Sequence, residues 1–333
     1  MKLALGKLPP EVLSRYLFGM TGAPSPDLVV PPSLGVDFGV VRQPGGYLVV
    51  SSDPVTGVKE RIGWYAVNVS ANDVATSGNR PRFLQSIILL PEDAKVGTVA
   101  RISREMHATA EGLGMTIVGG HTELTPGLTR PIVVTTAFAF ARSFVTAADA
   151  REGDTMMLTK SAAVEGTAIC ASDPSRFRGR ADAAVLARAR RFLRKLSVVE
   201  EAVAAFGTGQ VHAMHDCTEG GVLGAAYEMS FASGLGFQLE EERIPVAKET
   251  AYVCSTLGLD PLRLISSGTL LLAVKRGAEG AVADAVAAAG STVSPIGRFR
   301  RDGRVLKRKD GTAETIGEPP SDELWKFVGA RGI

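Results

Sequence analysis

Apolar residues return at helical spacing in the first third of the chain. Ile62, Tyr65, Ala66 and Val69 stand at i, i+3, i+4 and i+7, with Gly78 placed to follow the last turn, so residues 62–77 are predicted to form a helix. Its other side carries Asn68, Asn72 and Thr76 at i+4 steps with Asp73 beside them, a polar stripe for one neighbour. A second helix is predicted from Asp93 to Leu113, with Val96, Val99, Met106 and Ala110 turned inward. Met115–Val118 reads as a short buried strand and Pro131–Phe140 as another. Gln85–Leu90 (QSIILL) is an uncharged strand stopped by Pro91, an aggregation-prone edge in a monomer; this predicts a C2 homodimer with Ile87, Ile88 and Leu89 in its interface.

The stretch Phe144–Asp154 is polar and lacks a core pattern, which divides the chain into domains at 1–150 and 151–333. Beyond it, strands are predicted at Thr155–Thr159, Gln210–Met214, Leu264–Val274 and Ser294–Arg300. Helices are predicted at Glu165–Ala171, Ala181–Lys195, after Ser197 with Glu200 completing a capping box, at 222–233 and at Ala278–Ala289. The class is α/β.

Composition narrows the functions. A chain of 333 residues with 45% hydrophobic and 22% charged positions holds about two ordinary cores. Lys+Arg 37 against Asp+Glu 35 leaves a net charge of +2, which provides no global field for nucleic acid or an anionic membrane. Cys170, Cys217 and Cys254 are widely spaced and form no CxxC, which points to a reducing compartment. The opening MKLALGKLPPEV meets Pro9-Pro10 before an apolar signal core develops, so a cytoplasmic location is expected.

Acidic residues recur at the ends of apolar strands in Gly-, Ser- or Thr-rich turns. They are Asp37 in GVDFG, Asp53 after YLVVSS, Glu123 in GGHTE and Asp216 in HDCTEGG, and Asp73 joins them from the helix stripe. Singly, each also suits an Asx-turn or an N-cap. Repeated, they are what a hard cation needs, because Mg²⁺ takes one or two carboxylates together with phosphate oxygens. Gly pairs beside them let backbone N–H groups approach those phosphates. Neither GxxxxGK[ST] nor GxGxxG occurs. His212 and His215 lack an evident third ligand for zinc, and His121 suits phosphate contact, proton transfer or a turn hydrogen bond equally. Asp216 disfavours a thiolate at Cys217, and Arg188–Lys195 reads as a solvated face over a core stripe.

Five ordered motifs resemble one family: SSDP (51–54), NVSANDVATSGNRP (68–81), GGHTELTPG (119–127), TKSAAVEGTAI (159–169) and HDCTEGGVLG (215–224). Their order and spacing are similar to those of the AIR synthetase (PurM-like) superfamily, in its HypE branch of hydrogenase expression/formation proteins. The resemblance implies an α/β N-terminal domain whose strands form a barrel across a dimer, an α/β C-terminal domain, and ATP with Mg²⁺ in the groove between them. By motif position it implies metal ligands at Asp37, Asp53, Asp73 and Asp216. Cofactor contacts would come from Asn72, Gly119, Gly120, His121, Thr122, Glu123 and Thr218, and reacting-end residues would be Lys160, Glu165 and His121. The implied chemistry is ATP-dependent phosphorylation of an amide or carboxamide oxygen that leaves as phosphate. A small-molecule kinase of the thiamine-monophosphate kinase or selenophosphate synthetase type is the alternative, and a nonenzymatic ATP-binding scaffold for a maturation complex is another. The substrate would be a small molecule or a carrier protein, with a maturation partner. HypE carries its substrate on a C-terminal cysteine, whereas this sequence ends FVGARGI, and the Gly-rich opening of HypE is replaced by GKLPPE. Self-dehydration at such a cysteine is therefore not expected.

Overall fold

The computed structural model describes residues 6–328 except 57 and 59. The first five residues and the 329–333 part of the FVGARGI ending lie outside the described residues.

Two mixed sheets organise the chain. The first holds β1 (Leu28–Val30), β2 (Gly39–Gln43), β3 (Gly46–Val55), β4 (Phe83–Leu90), β5 (Thr116–Leu124) and β6 (Ile132–Ala141), in the order β1-β2-β3-β6-β4-β5. Helix α1 (Pro10–Tyr16) precedes it, and α2 (Ile62–Ala75) and α3 (Val96–Gly112) pack on one face. β4 and β5 are parallel and joined by the α3 crossover, while the other pairs are antiparallel. Alternation along β6 turns Val133, Thr135, Ala137, Ala139 and Ala141 toward the helices, and their small side chains let α2 approach closely. The opposite face carries Phe138 and Phe140 beside Phe83 of β4, with Ile87 farther along the same strand; Phe140 is 55% and Ile87 41% exposed.

The second sheet holds β7 (Thr155–Thr159), β8 (Val211–Asp216), β9 (Gly236–Glu240), β10 (Leu270–Val274), β11 (Val293–Arg300), β12 (Arg304–Lys307) and β13 (Ala313–Thr315). Their order is β13-β12-β9-β11-β7-β10-β8. Helices α4 (Val164–Ala171), α5 (Ala183–Arg190), α6 (Val199–Gly207), α7 (Gly221–Ser233), α8 (Lys248–Leu257), α9 (Glu279–Ala288) and α10 (Leu324–Val328) surround it.

One apolar core runs from one half into the other. Tyr65, Ala71 and Val74 of α2 share it with Leu196, Val198, Val199, Ala202 and Met214. Asn72 fastens this seam, donating to the Leu196 carbonyl at 2.8 Å and accepting from the Val198 N–H at 2.9 Å. Gly78 ends α2 in the left-handed region (φ 84°), and any β-carbon there would strike the Phe206 ring of α6.

Several expected elements come out differently. Val96 is 85% exposed, because it lies about 240° around the helix from Ile102, the first residue of the inner stripe. The strand expected at Met115–Val118 runs on to Leu124 and is exposed throughout, since β5 is the outer strand of its sheet. Gln85–Leu90 is not an edge: β4 pairs on both sides, and Ile88 packs in its own subunit's core. The strand expected at Leu264–Val274 begins only at Leu270, after Gly268 in a left-handed turn. The expected helix 181–195 is α5, capped by Asp182, followed by a 3₁₀ turn at Arg191–Lys195. No capping box forms before α6; Glu200 pairs instead with Arg80 at 2.6 Å.

Candidate functional site

The pleat of β3 turns Ser51 and Asp53 toward α2, where Asp73 is buried in the last turn of a nearly all-buried helix. Asp37 arrives on the loop before β2, and Asp216 ends β8. Ser51 Oγ lies 2.8 Å from both the Asp37 carbonyl and Asp73 Oδ2. Ser51 thus links the Asp73 carboxyl to the loop that carries Asp37. Asp53, Asp216 and Asp37 all act electrostatically on Asp73. The structure therefore gathers Asp37, Asp53, Asp73 and Asp216 from four segments of sequence.

His215 and Glu228 complete the cluster. Atoms of Asp37, His215 and Asp216 lie within 4.8 Å of one another. His215 Nδ1 donates to the Asp216 carbonyl at 2.7 Å, and its Nε2 is 3.1 Å from Glu228 Oε2 and 3.3 Å from Asp37 Oδ1. These Nε2 contacts are close in charge but misaligned as hydrogen bonds. Asp37 Oδ2, Asp216 Oδ2 and His215 Nε2 are buried without a hydrogen-bond partner. Bare buried carboxylate oxygens are costly. They fit a hard, oxygen-seeking cation.

Charge follows the burial. Burial raises Asp37 to about 6, with Glu228 adding and His215 opposing. Burial and then the charge of Asp37 raise Asp216 to about 8. Asp73 rises well above the usual carboxylate range through burial and Asp53. His215 rises to about 9, burial opposing its charge and Asp37 and Glu228 outweighing it. Glu228 falls to about 2, where burial opposes its charge but Lys7 and His215 prevail. An imidazolium and the Lys7 ammonium, 3.0 Å from Glu228, are thus the internal counter-charges.

Both ends of the described chain grip the loop after Asp216. Asp322 accepts from the Gly220 N–H at 2.6 Å, Trp325 Nε1 donates to Glu219 at 2.9 Å, and the Lys7 N–H donates to Glu219 at 3.2 Å. Gly220 and Gly221 are left-handed (φ 81° and 64°), and β-carbons there would press on the carbonyls of Pro320, Leu262 and Leu264.

Other expected site residues lie elsewhere. The Asn72 amide bonds Leu196 and Val198 rather than reaching into the cluster. The Lys160 ammonium is held by the carbonyls of Lys195, Ser197 and Gly268 and by Glu201 at 2.5 Å. Glu165, buried with Oε2 unpartnered, is pushed up to about 7 by burial, with Ser267 opposing. Thr218 is near the cluster, with Oγ1 3.5 Å from Lys7 Nζ. Gly119, Gly120, His121, Thr122 and Glu123 form part of exposed β5 instead of a turn, and His121 pairs with Glu123 at 3.1 Å. Register does align that segment with the cluster: Asp53 faces Thr135, Thr135 faces Ser86, and Ser86 faces Gly120. His212 turns away from His215 to Asp154 at 2.9 Å, as residues three apart on a strand must. Cys217 is fully buried, and burial and then Asp216 raise its pKa.

Sequence reasoning missed Glu228, Lys7, Asp322 and Trp325. Glu228 left one signal, being the sole charge in the apolar helix GVLGAAYEMSFAS.

A carboxylate cluster at the seam of two mixed-sheet halves defines a two-domain α/β protein. Residues 35–141 match the N-terminal domain, and 151–307 the C-terminal domain, of the AIR synthase related protein family. The chain belongs to that family and is of the HypE/AIR synthetase type. It is 32% identical over 254 residues to the carbamoyl dehydratase HypE of Cupriavidus necator, covering 74% of this chain and 68% of that protein. It is 27% identical over 217 residues to a putative hydrogenase expression/formation protein of Methanocaldococcus jannaschii, covering 65% of this chain and only 62% of that protein. The fold is similar to that of HypE in complex with ATP (TM-score 0.69, 20% identity, 95% of this chain and 96% of that one). It is equally similar to HypE in a HypE–HypF complex (0.70, 22%, 84% and 93%) and to AaThiL complexed with AMPPCP and TMP (0.70, 20%, 86% and 91%). Among the described residues no helix is long and apolar enough to cross a membrane.

Proposed function

We propose that this chain is an ATP- and Mg²⁺-dependent enzyme that phosphorylates an amide or carboxamide oxygen, which then leaves as phosphate. The observation that carries the reading is the convergence of Asp37, Asp53, Asp73 and Asp216 with carboxylate oxygens bare and buried. These four residues would hold Mg²⁺, whose charge would offset that of the phosphoryl group being transferred. Ser51 orients Asp73, and the His215–Glu228 pair holds Asp37 in place. The Lys7 ammonium and Thr218 hydroxyl stand beside the cluster as phosphate contacts. The Gly119–Gly120 backbone, three strand spacings or roughly 14 Å from Asp53, is assigned to the far phosphate end. Glu165 is assigned to the acceptor end. In this reading Asp37, Asp53 and Asp73 of residues 1–150 hold the cation together with Asp216 of residues 151–333, and the second half completes the groove.

The same chain would act as a C2 homodimer, because Phe138, Phe140, Ile87 and Leu89 give the first sheet an apolar outer face. The HypE–HypF complex supports a maturation partner; the acceptor in this reading is a small molecule or a carrier protein. The AaThiL likeness supports a second reading, a small-molecule kinase. Calorimetry with ATP and Mg²⁺, followed by a metabolite screen for ADP release, tests both. A stable phosphorylated product indicates the kinase, and free phosphate with a dehydrated or cyclised product indicates the first reading. Absence of ATP binding, with Asp53→Ala and Asp73→Ala indistinguishable from the parent, rejects both.

A further inference from the structure

Away from the carboxylates, a cavity of about 890 Å³ opens between the turn 173–180, the end of α8 and helix α10. Arg176, Arg178, Arg180 and Lys326 line it, over a floor that includes Leu257 and Phe327. Asp173 is the single carboxylate of the lining, and it already accepts from Ser175 and pairs with Arg176. Lys326 pairs with Glu323 at 2.6 Å, which leaves Arg178 and Arg180, among the described residues, as the lining cations without a carboxylate partner. In a chain of net charge +2 this is a local concentration of positive charge.

The cationic turn is anchored. Phe177 is fully buried and stacks on Tyr252 of α8, with ring centroids 6.5 Å apart and planes 11° apart. The Tyr252 hydroxyl donates to the Arg180 carbonyl at 2.5 Å and accepts from the Asp182 N–H at 2.8 Å. Arg176 lies over the Phe327 ring at 5.3 Å, and Arg180 donates to the Thr256 carbonyl. Holding like charges together on a fixed turn is unfavourable unless an anion offsets them. Guanidinium groups fixed in advance are the usual donors to phosphate and carboxylate oxygens.

We propose that this cavity is a second ligand site, which takes a small molecule bearing two or more phosphate or carboxylate groups. The site shares α10 with the carboxylate centre: Lys326 and Phe327 face the cavity, while Trp325 holds Glu219 in the loop after Asp216. Its ligand is therefore placed to act on that loop, and the site does not depend on the reaction proposed above.

The test is calorimetric titration with pyrophosphate, in low salt with EDTA present, of the parent chain, the Arg178→Asn/Lys326→Gln double variant and Asp216→Asn. Both altered residues of the double variant are exposed, and Asn tolerates the left-handed backbone at Arg178 (φ 50°). The parent and Asp216→Asn are expected to bind alike, and the double variant at least about tenfold more weakly, as for loss of a charge-assisted hydrogen bond. A parallel titration with citrate sorts the ligand chemistry: the anion bound more tightly names the group, phosphate or carboxylate. The proposal is overturned if the parent binds neither anion, if the double variant matches the parent, or if Asp216→Asn abolishes binding and so places the anion at the carboxylate centre.

Discussion

Asp322 accepts a hydrogen bond from the Gly220 N–H at 2.6 Å, although 102 residues separate them. Its other carboxylate oxygen accepts from the Leu324 N–H at 2.7 Å, so one buried side chain ties α10 to the loop that follows Asp216. Asp322→Ala leaves two N–H groups without partners, and a loss of roughly 2–4 kcal/mol is expected. Chemical denaturation measures it. A change below about 0.5 kcal/mol would show that the clasp is not structural.

Neutralising one carboxylate of the cluster is expected to stabilise the metal-free protein. Asp216 is raised to about 8 by burial and by Asp37, so the ionised centre repels itself. In EDTA, Asp216→Asn should melt higher than the parent. Added Mg²⁺ should raise the melting temperature of the parent and leave that of the variant unchanged, since only a folded state that binds the ion gains from it. A lower melting temperature in EDTA for Asp216→Asn would contradict the idea of a self-repelling centre.

Glu165 provides one part of the pH dependence, beside Asp37 and Asp216. Its folded pKa is raised from 4.5 to about 7, chiefly by burial. The protonated form is favoured by folding, so its stabilising contribution is complete below about pH 4.5 and is lost as pH rises through about 7. That amounts to about 3 kcal/mol across the window. Urea unfolding at pH 5 and pH 8 should show a smaller difference for Glu165→Gln than for the parent. Equal differences would remove Glu165 as the source.

Asn72 is expected to behave as a seam residue. Asn72→Ala strands the Leu196 carbonyl and the Val198 N–H, which predicts a loss of about 2–5 kcal/mol. Its Mg²⁺ affinity, measured below the melting transition, should stay within about threefold of the parent, because a threefold change corresponds to less than 1 kcal/mol. Unchanged stability with abolished binding of Mg²⁺ and ATP would return Asn72 to the cofactor contacts.

The outer face of the first sheet predicts the oligomeric state. Light scattering should give about twice 34.9 kDa for the parent and a shift toward one chain for Phe140→Asp. Ile88→Asp, by contrast, places a charge in the subunit's own core and should cost folding itself. A parent mass of one chain rules out the dimer.

Helix α2 was legible from its spacing, because a 3.6-residue period is a property of the local chain. Asp37, Asp53 and Asp216 stood out only because one pattern repeats, each alone suiting an Asx-turn or an N-cap, and Asp73 stood out on the polar stripe of α2. Tertiary structure decided what these residues face. Gln85–Leu90 is uncharged and apolar and would be a hazard at an edge; β5 covers it within the subunit, and pairing order is fixed by the crossover through α3 rather than by the strand's own residues. GGHTE reads as a turn because two adjacent glycines permit one; in β5 it is extended, and Gly120 fits because its α-carbon passes against the Ser86 carbonyl. Asn72 and Lys160 have side chains fit to meet a ligand, but backbone groups more than 30 residues away claim them first. Lys7 and Trp325 offered no periodicity or motif. They enter the site because the two ends of the described chain meet over one loop, and proximity between distant segments depends on how the whole chain closes.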